Sequence, residues 1–500
     1  MHIENIHKII GIMLIVLMLY ANTSFSEEKN IELSLEDCIH KALVENLNFK
    51  SSTLGLKLDN LTVKQEQSVF SPIFSMQVTR GKSEQPNYTS YIPVSSIESD
   101  NTNLTTQFGQ RIWTGASWGV GYYTTLSESN IETEKNYSSN LGLNFTQPLL
   151  KGFGKQVNKS GIHLARLTEK TTGLDIEDQA TSLVYNVQSV YWNLVYAREI
   201  LSVLQLTVDQ ADSLLAYNRT AYDLGIKTES DMLEAQSALI NRKQEVIDQE
   251  KNIRDLEDEL SLLLNLTDNY SRVVRIIPTD VPDIENIKPD TYKLLTDALT
   301  YRPDYLAARY AVDKNELQAS VAKNSLLPSL DLSTSYRFNG SGSTVSDNFS
   351  EMKSGNAYGW EVGLKLSYPI GNSNAEAAYE KSKINMKRAQ LSLEDITQQI
   401  MAEIGEAARN LEVNRKKIES MSLSVDINER KLDQETERYR NNMSTSYMVL
   451  EYQKDLANAR TQYQKSLMDY NLALAKLKQT AGILLRDMNI TIMGLHPNNS

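Results

Sequence analysis

The chain has 500 residues and a formal net charge of −12. That acidic surplus excludes nucleic acid as the expected partner, because binding phosphates takes a basic surface. A single cysteine, Cys38, excludes an internal disulfide, and a mean hydropathy of −0.39 excludes a bundle of membrane-spanning helices.

In chain order, the first element is a leader. His7 and Lys8 precede an apolar run from Ile9 to Tyr20, followed by Ala21, Ser24, Ser26 and the acidic pair Glu27-Glu28. The run is well short of the roughly 20 residues a spanning helix needs, so it predicts a signal peptide over residues 1–26 rather than an anchor. No later segment holds 18 consecutive apolar residues. Insertion into a membrane would therefore have to be by β-strands.

Residues Ser34–Ser68 predict a short helix, with Cys38 as a small core residue. Ser75-Met-Gln-Val and Ser139–Pro148 alternate apolar and polar, the period of a strand with one apolar face. Between them Thr105–Trp113 and Ala116–Leu126 read as an extra hairpin around Thr114-Gly115, flanked by polar loops Gly81–Asn101 and Ser127–Asn136. No proline occurs from Leu149 to Ile277. Lys155–Leu224 then predicts a helix of 70 residues, about 105 Å at 1.5 Å per residue. Gly225 is suited to end it and Thr228 to cap the next helix. That helix, Glu229–Leu266, repeats apolar residues in heptads at Met232, Leu239, Val246, Ile253 and Leu260. Thr267–Asp290, with Pro278, Pro282 and Pro289, is expected to be an irregular linker.

The same order recurs. Ser329–Tyr336 and Trp360–Pro369 alternate, Asn374–Arg440 predicts a helix of 67 residues, Asn442 stands where glycine stood, and Thr445 precedes heptads at Val449, Leu456, Tyr463, Tyr470 and Leu477. Tyr222, Thr228, Leu233, Glu234, Gln236, Leu239 and Asn241 match Tyr439, Thr445, Leu450, Glu451, Gln453, Leu456 and Asn458 without gaps. Two further blocks, around Pro72/Pro328 and Pro148/Pro369, keep the same order. The chain therefore reads as a duplication. The repeats are 27–266 and 291–484, joined by 267–290 and followed by a tail, 485–500. The fold class is mainly α, with long antiparallel coiled-coil helices and a small transmembrane β-barrel portion. Four or six strands per chain close no membrane barrel, and open edges cannot face lipid, so the barrel has to be completed by oligomerisation.

No catalytic or metal chemistry is legible. Cys38 and His40 stand at i and i+2, which do not face together on a helix. Gly152-Phe-Gly-Lys155 lacks phosphate-loop spacing. The expectation is no enzyme, no cofactor and no metal.

The chain resembles the TolC-like outer-membrane efflux proteins, the outer-membrane factors, over nearly its whole mature length. The resemblance rests on Leu33-Ser-Leu-Glu-Asp-Cys-Ile-His-Lys-Ala-Leu, Phe145-Thr-Gln-Pro-Leu-Leu-Lys-Gly-Phe-Gly154, Gly225-x5-Asp-Met-Leu-Glu-Ala-Gln236, Tyr301-Arg-Pro-Asp-Tyr-Leu and Leu326-Leu-Pro-Ser-Leu. It implies a homotrimer in the bacterial outer membrane, with four strands per chain making one 12-stranded barrel above a helical tunnel. It also implies partners: a periplasmic adaptor (a membrane fusion protein), an inner-membrane transporter and outer-membrane lipid. The chain would be a passive exit duct of a tripartite efflux pump or a type I secretion system, gated at its periplasmic end. Tyr222, Asp231, Glu234, Tyr439 and Glu451 match the gate positions, with Met448 and Ser444 departing from the pattern. The turns carrying Gly225, Thr228, Asn442 and Thr445 would be the adaptor-docking tips. Acidic residues near a helix start also suit the helix dipole, whatever else they do. The rival reading is a periplasmic coiled-coil adaptor or structural protein.

Overall fold

The computed structural model describes residues 29–88, 91, 94–132, 134–266, 274–282, 284 and 287–492. The expected leader lies outside them. In chain order the elements are β1 (Lys29–Leu33), α1 (Leu35–Glu45), α2 (Leu47–Ser68), β2 (Ile73–Pro86), β3 (Ser96–Arg111), β4 (Ser117–Ser129) and β5 (Asn136–Pro148). Then come α3 (Lys155–Asn158), α4 (Ser160–Asp223), α5 (Glu229–Leu263), β6 (Val274–Pro278), α6 (Thr291–Tyr301), α7 (Pro303–Asn324) and β7 (Ser329–Gly342). The last are α8 (Val345–Ser354), β8 (Tyr358–Ser367), α9 (Ser373–Arg440), α10 (Ser446–Thr480) and α11 (Leu484–Asp487). The 64 residues of α4 and 68 of α9 make helices of about 96 and 102 Å. Among the described residues no helix is long and apolar enough to cross a membrane.

The helix expected over Ser34–Ser68 is broken once, at Asn46, whose ψ is 124°. There the Asn46 side chain accepts from Phe49 N (3.0 Å) and donates to the Leu263 carbonyl (3.1 Å). Its repeat counterpart breaks at Arg302, with ψ 123°, as the residue before a proline tends to.

The chain divides into two compact units, residues 1–53, 175–303 and 397–500 forming the first and 54–174 and 304–396 the second. In the first, β1 and β6 pair in parallel, Lys29 to Val274 through Leu33 to Pro278. The segment expected to be irregular thus contains a strand. Five residues ending in proline are too short to show a period, and the strand exists through a pairing 245 positions distant. Tyr191, fully buried, donates to Asp280 Oδ2 (2.6 Å), and the same oxygen accepts from Leu35 N (2.6 Å). Nearby, Glu257 is 2% exposed and lies between Arg198 (2.7 Å) and Arg275 (3.1 Å), while Arg198 also donates to the Ile276 carbonyl.

Cys38 is fully buried among these elements, and burial pushes its thiol up to about 12. A thiol so protonated and covered is inert. The native protein at pH 8 is expected to take up less than about a tenth of an equivalent of a maleimide within the time that labels the denatured chain fully, as mass spectrometry would read.

The second unit is built on a six-stranded antiparallel sheet in the order β2-β3-β4-β5-β7-β8. The resemblance implied four strands per chain, and the sheet has six because the Thr105–Leu126 hairpin joins it. Gly81–Asn101, expected to be a loop, is mostly strand: β2 and β3 pair without interruption from Ile73–Gly109 to Pro86–Ser96. The apolar period fades there because Arg80 pairs with Asp100 (2.7 Å), Lys82 with Glu98 (2.7 Å) and Ser96 with Glu84 (2.6 Å), polar partners that hold strands as well as apolar ones do. At one end of the sheet lie the short link 112–116 and the joints to α2, α3, α7 and α9. The strand ends Pro86 and Ser96, Ser129 and Asn136, and Gly342 and Tyr358 lie at the other. Helix α8 packs on β7 and β5, with Asn348 donating to the Tyr137 and Gly340 carbonyls (2.6 and 3.0 Å).

Candidate gate at the helix turns

Two helical hairpins of the first unit end in matched turns. After α4, Gly225 takes φ +74°; after α9, Asn442 takes φ +57°. Both conformations are left-handed, which glycine adopts freely and asparagine tolerates. Each turn delivers a threonine to cap the next helix. The Thr228 hydroxyl accepts from Asp231 N, and the Asp231 carboxylate in return accepts from Thr228 N (3.1 Å) and Oγ1 (2.6 Å). This is a closed capping box. The Thr228 hydroxyl also holds the Asp231 carboxyl below the usual carboxylate range. Thr445 accepts from Met448 N (3.4 Å), but methionine offers no returning carboxylate.

The candidate residues do not converge in the single chain. Tyr222 is 41% exposed; Gly225, Thr228, Asn442 and Thr445 are exposed; Asp231, Glu234 and Glu451 are half-buried. Among the described residues neither Glu234 nor Glu451 forms an ion pair within the chain. Tyr439 is 2% exposed and belongs to an apolar cluster with Leu214, Ala235, Leu432, Val449 and Leu456, drawn from α4, α5, α9 and α10. Its ring meets Tyr217 edge-on at 5.8 Å, and Lys227 Nζ stands 4.1 Å from its centroid.

Burial of Tyr439 exposes a polar latch that the sequence reading missed. Its hydroxyl donates to Asn218 Oδ1 (2.6 Å), and Asn218 Nδ2 donates to the Asp231 carbonyl (3.0 Å) and Ser446 Oγ (3.1 Å). Asn218 and Ser446 are both fully buried. The latch thus ties the turns of the two repeats together. Burial pushes the Tyr439 phenol up to about 12. The counterpart of Asn218 at the repeat offset is Glu435, 5% exposed, which accepts from Arg438 (3.2 Å) and Ser444. A signal was present: Asn218 follows Ala211 and Leu214 and precedes Ala221, the three-and-four spacing of a coiled-coil seam. A polar residue at such a position fixes register and partner at a cost in stability.

A sequence model of the outer membrane efflux protein family matches residues 38–266 and 294–483, which is most of both repeats. The chain belongs to that family. The efflux-protein fold is matched by solved structures as well. The outer-membrane channel OprN superposes with a TM-score of 0.68 at 16% identity, over 90% of this chain and 89% of OprN. The Campylobacter jejuni CmeC outer membrane channel gives 0.67 at 16% identity, over 92% and 90%. Among relatives, the alkaline protease secretion protein AprF of Pseudomonas aeruginosa is 21% identical over 379 residues, 74% of this chain and 75% of AprF. The outer membrane protein TolC of Escherichia coli is 24% identical over 341 residues, 64% and 65% of the two chains. As an outer membrane efflux protein, the chain is an outer-membrane exit duct extending into the periplasm, of the kind that serves efflux or type I secretion. The rival reading as a periplasmic adaptor falls away.

Proposed function

We propose that three copies of this chain form one duct, a passive conduit closed at the periplasmic helix turns and opened when a periplasmic adaptor and an inner-membrane transporter engage it. The observation that carries the reading is the open-edged sheet. Among the described residues strand β2 and strand β8 each pair on one side only, and an unpaired strand edge cannot stand in lipid. Copies must therefore supply the missing neighbours. The repeats proposed above, 27–266 and 291–484, would each give the duct one long helix hairpin.

At the closed entrance the latch of Asn218, Tyr439 and Ser446 holds the two hairpins of each copy together. Tyr222, Asp231, Glu234 and Glu451 are left at or near the surface, where symmetry would gather three of each into rings. Acidic rings favour cations. The exposed turns at Gly225, Thr228, Asn442 and Thr445 are the surfaces proposed to receive the adaptor, and exposed Leu224, Ile226 and Met443 beside them add apolar contact. Energy and cargo choice would come from the transporter. Light scattering on the detergent-purified mature protein, corrected for bound detergent, is expected to give three times the chain mass. A monomer would overturn the proposal.

A further inference from the structure

We infer that the membrane barrel of this duct has eighteen strands, formed by three six-stranded sheets joined edge to edge, β8 of each copy against β2 of the next. The inference rests on the trimeric duct proposed above and goes beyond it in strand number and in the pair of edges that meet.

Three observations carry it. The first is the apolar band. The pairing register lines up Phe74, Phe108, Val120, Leu143, Tyr336 and Trp360 in one row across all six strands. The next row runs Met76, Thr106, Tyr122, Leu141, Phe338 and Tyr358. The opposite face carries Gln77, Gln107, Gly121, Asn144, Ser335 and Glu361. Apolar outside and polar inside is the pattern of a membrane barrel. The extra hairpin shares that pattern with its neighbours, so it belongs to the lipid-facing wall and is not a surface flap.

The second is the reach of the band to both edges. On β2, Phe74, Met76 and Val78 are 61–65% exposed; on β8, Trp360, Val362, Leu364 and Leu366 are 62–68% exposed. The apolar positions of β8 from Tyr358 to Leu366 span nine residues, the length of strand that crosses a bilayer. The edges therefore sit at membrane depth, where their free N–H and C=O groups must be paired.

The third is direction. Every ladder in the sheet is antiparallel and the strand number is even. Strands β2 and β8 thus run in opposite senses, and a second copy's β2 set beside β8 continues the alternation without a parallel mismatch. Three copies close the ring. At a strand spacing of about 4.8 Å and a tilt of about 40°, eighteen strands enclose a backbone diameter of about 36 Å, against about 24 Å for twelve. The outer opening is then of porin width.

The test combines Cys38→Ser with cysteine pairs in the full chain, because intact β2 and β8 stand at opposite edges of one sheet and a disulfide between them has to join two copies. Met76→Cys or Val78→Cys is paired with Val362→Cys or Leu364→Cys, and Val120→Cys on β4 is paired with the same β8 positions. After oxidation, denaturing gels are read for linked dimers and trimers, light scattering gives the mass, and strands are counted in an electron cryo-microscopy cross-section. Linked trimers from a β2–β8 pair, with eighteen strands, are the expected result. A trimeric mass with β4–β8 links or a twelve-strand cross-section overturns the inference and leaves the trimeric duct standing. A monomeric mass overturns the duct proposal and this inference with it.

Discussion

Replacing Glu257 by alanine is expected to destabilise the protein by about 3–5 kcal/mol. The carboxylate is 2% exposed and bonded to Arg198 at 2.7 Å and Arg275 at 3.1 Å. Truncation would leave a small buried void and take the shared carboxylate from Arg198 and Arg275, whose side chains are 33% and 18% exposed, and loss of one partner from a largely buried ion-pair network is among the larger single losses a fold can suffer. Glu257→Gln keeps the shape and loses the charge, so it should fall between the two. The exposed pair Lys251–Asp255, with side chains 75% and 59% exposed, has similar geometry at the surface. Lys251→Ala should leave the melting temperature unchanged, because exposed pairs are screened by solvent. Thermal melts followed by helical ellipticity, at one protein concentration, make the comparison. Equal shifts for Glu257→Ala and Lys251→Ala would contradict the buried-triad account.

Replacing Asn218 by alanine should loosen the helix turns proposed as the entrance. Asn218 makes three hydrogen bonds in a fully buried position, to Tyr439, Ser446 and the Asp231 carbonyl. Its loss leaves the Tyr439 and Ser446 hydroxyls without this partner, at about 2–4 kcal/mol for the network. In a symmetric oligomer the change occurs in every copy, and the expected readout is single-channel conductance raised several-fold. Tyr439→Phe removes one bond and keeps the ring, so its effect should be smaller. It also carries a pH signature. The buried phenol titrates at about 12 against an ordinary value of about 10. A folded value raised above the unfolded one means stability that is intact below pH 10 and lost as pH rises towards 12. Wild type should weaken across that window, and Tyr439→Phe should lose this part of the dependence.

Much of the fold was legible because its signals are long and local. Proline-free runs gave α4 and α9 to within a few residues at each end except where Lys159 separates α3 from α4. Heptads placed buried Leu239, Ile253, Leu260, Val449, Leu456 and Leu477. The misses have a common cause. The outer parts of β2 and β3 are held by Arg80–Asp100 and Lys82–Glu98 across strands, and polar strands held by ion pairs look like loops in one dimension. Strand β6 is likewise made by its distant partner β1.

The helix turns were legible by position and not by role. The offset between repeats located both turns and both caps, and the structure adds that matched residues are used differently. Tyr222 is 41% exposed while Tyr439 is buried. Asp231 closes a capping box that Met448 cannot close. The latch residue, Asn218, drew no notice because a polar side chain on a long helix reads as solvated unless its seam position is weighed. Its burial is what joins the two repeats at the turns.

Planar-bilayer recording of the purified protein, beside its Asn218→Ala variant, tests the duct account most directly. Discrete ion-conducting steps are the expected result, small in wild type and larger in the variant. Correctly assembled protein that inserts and yet conducts in neither form would contradict it.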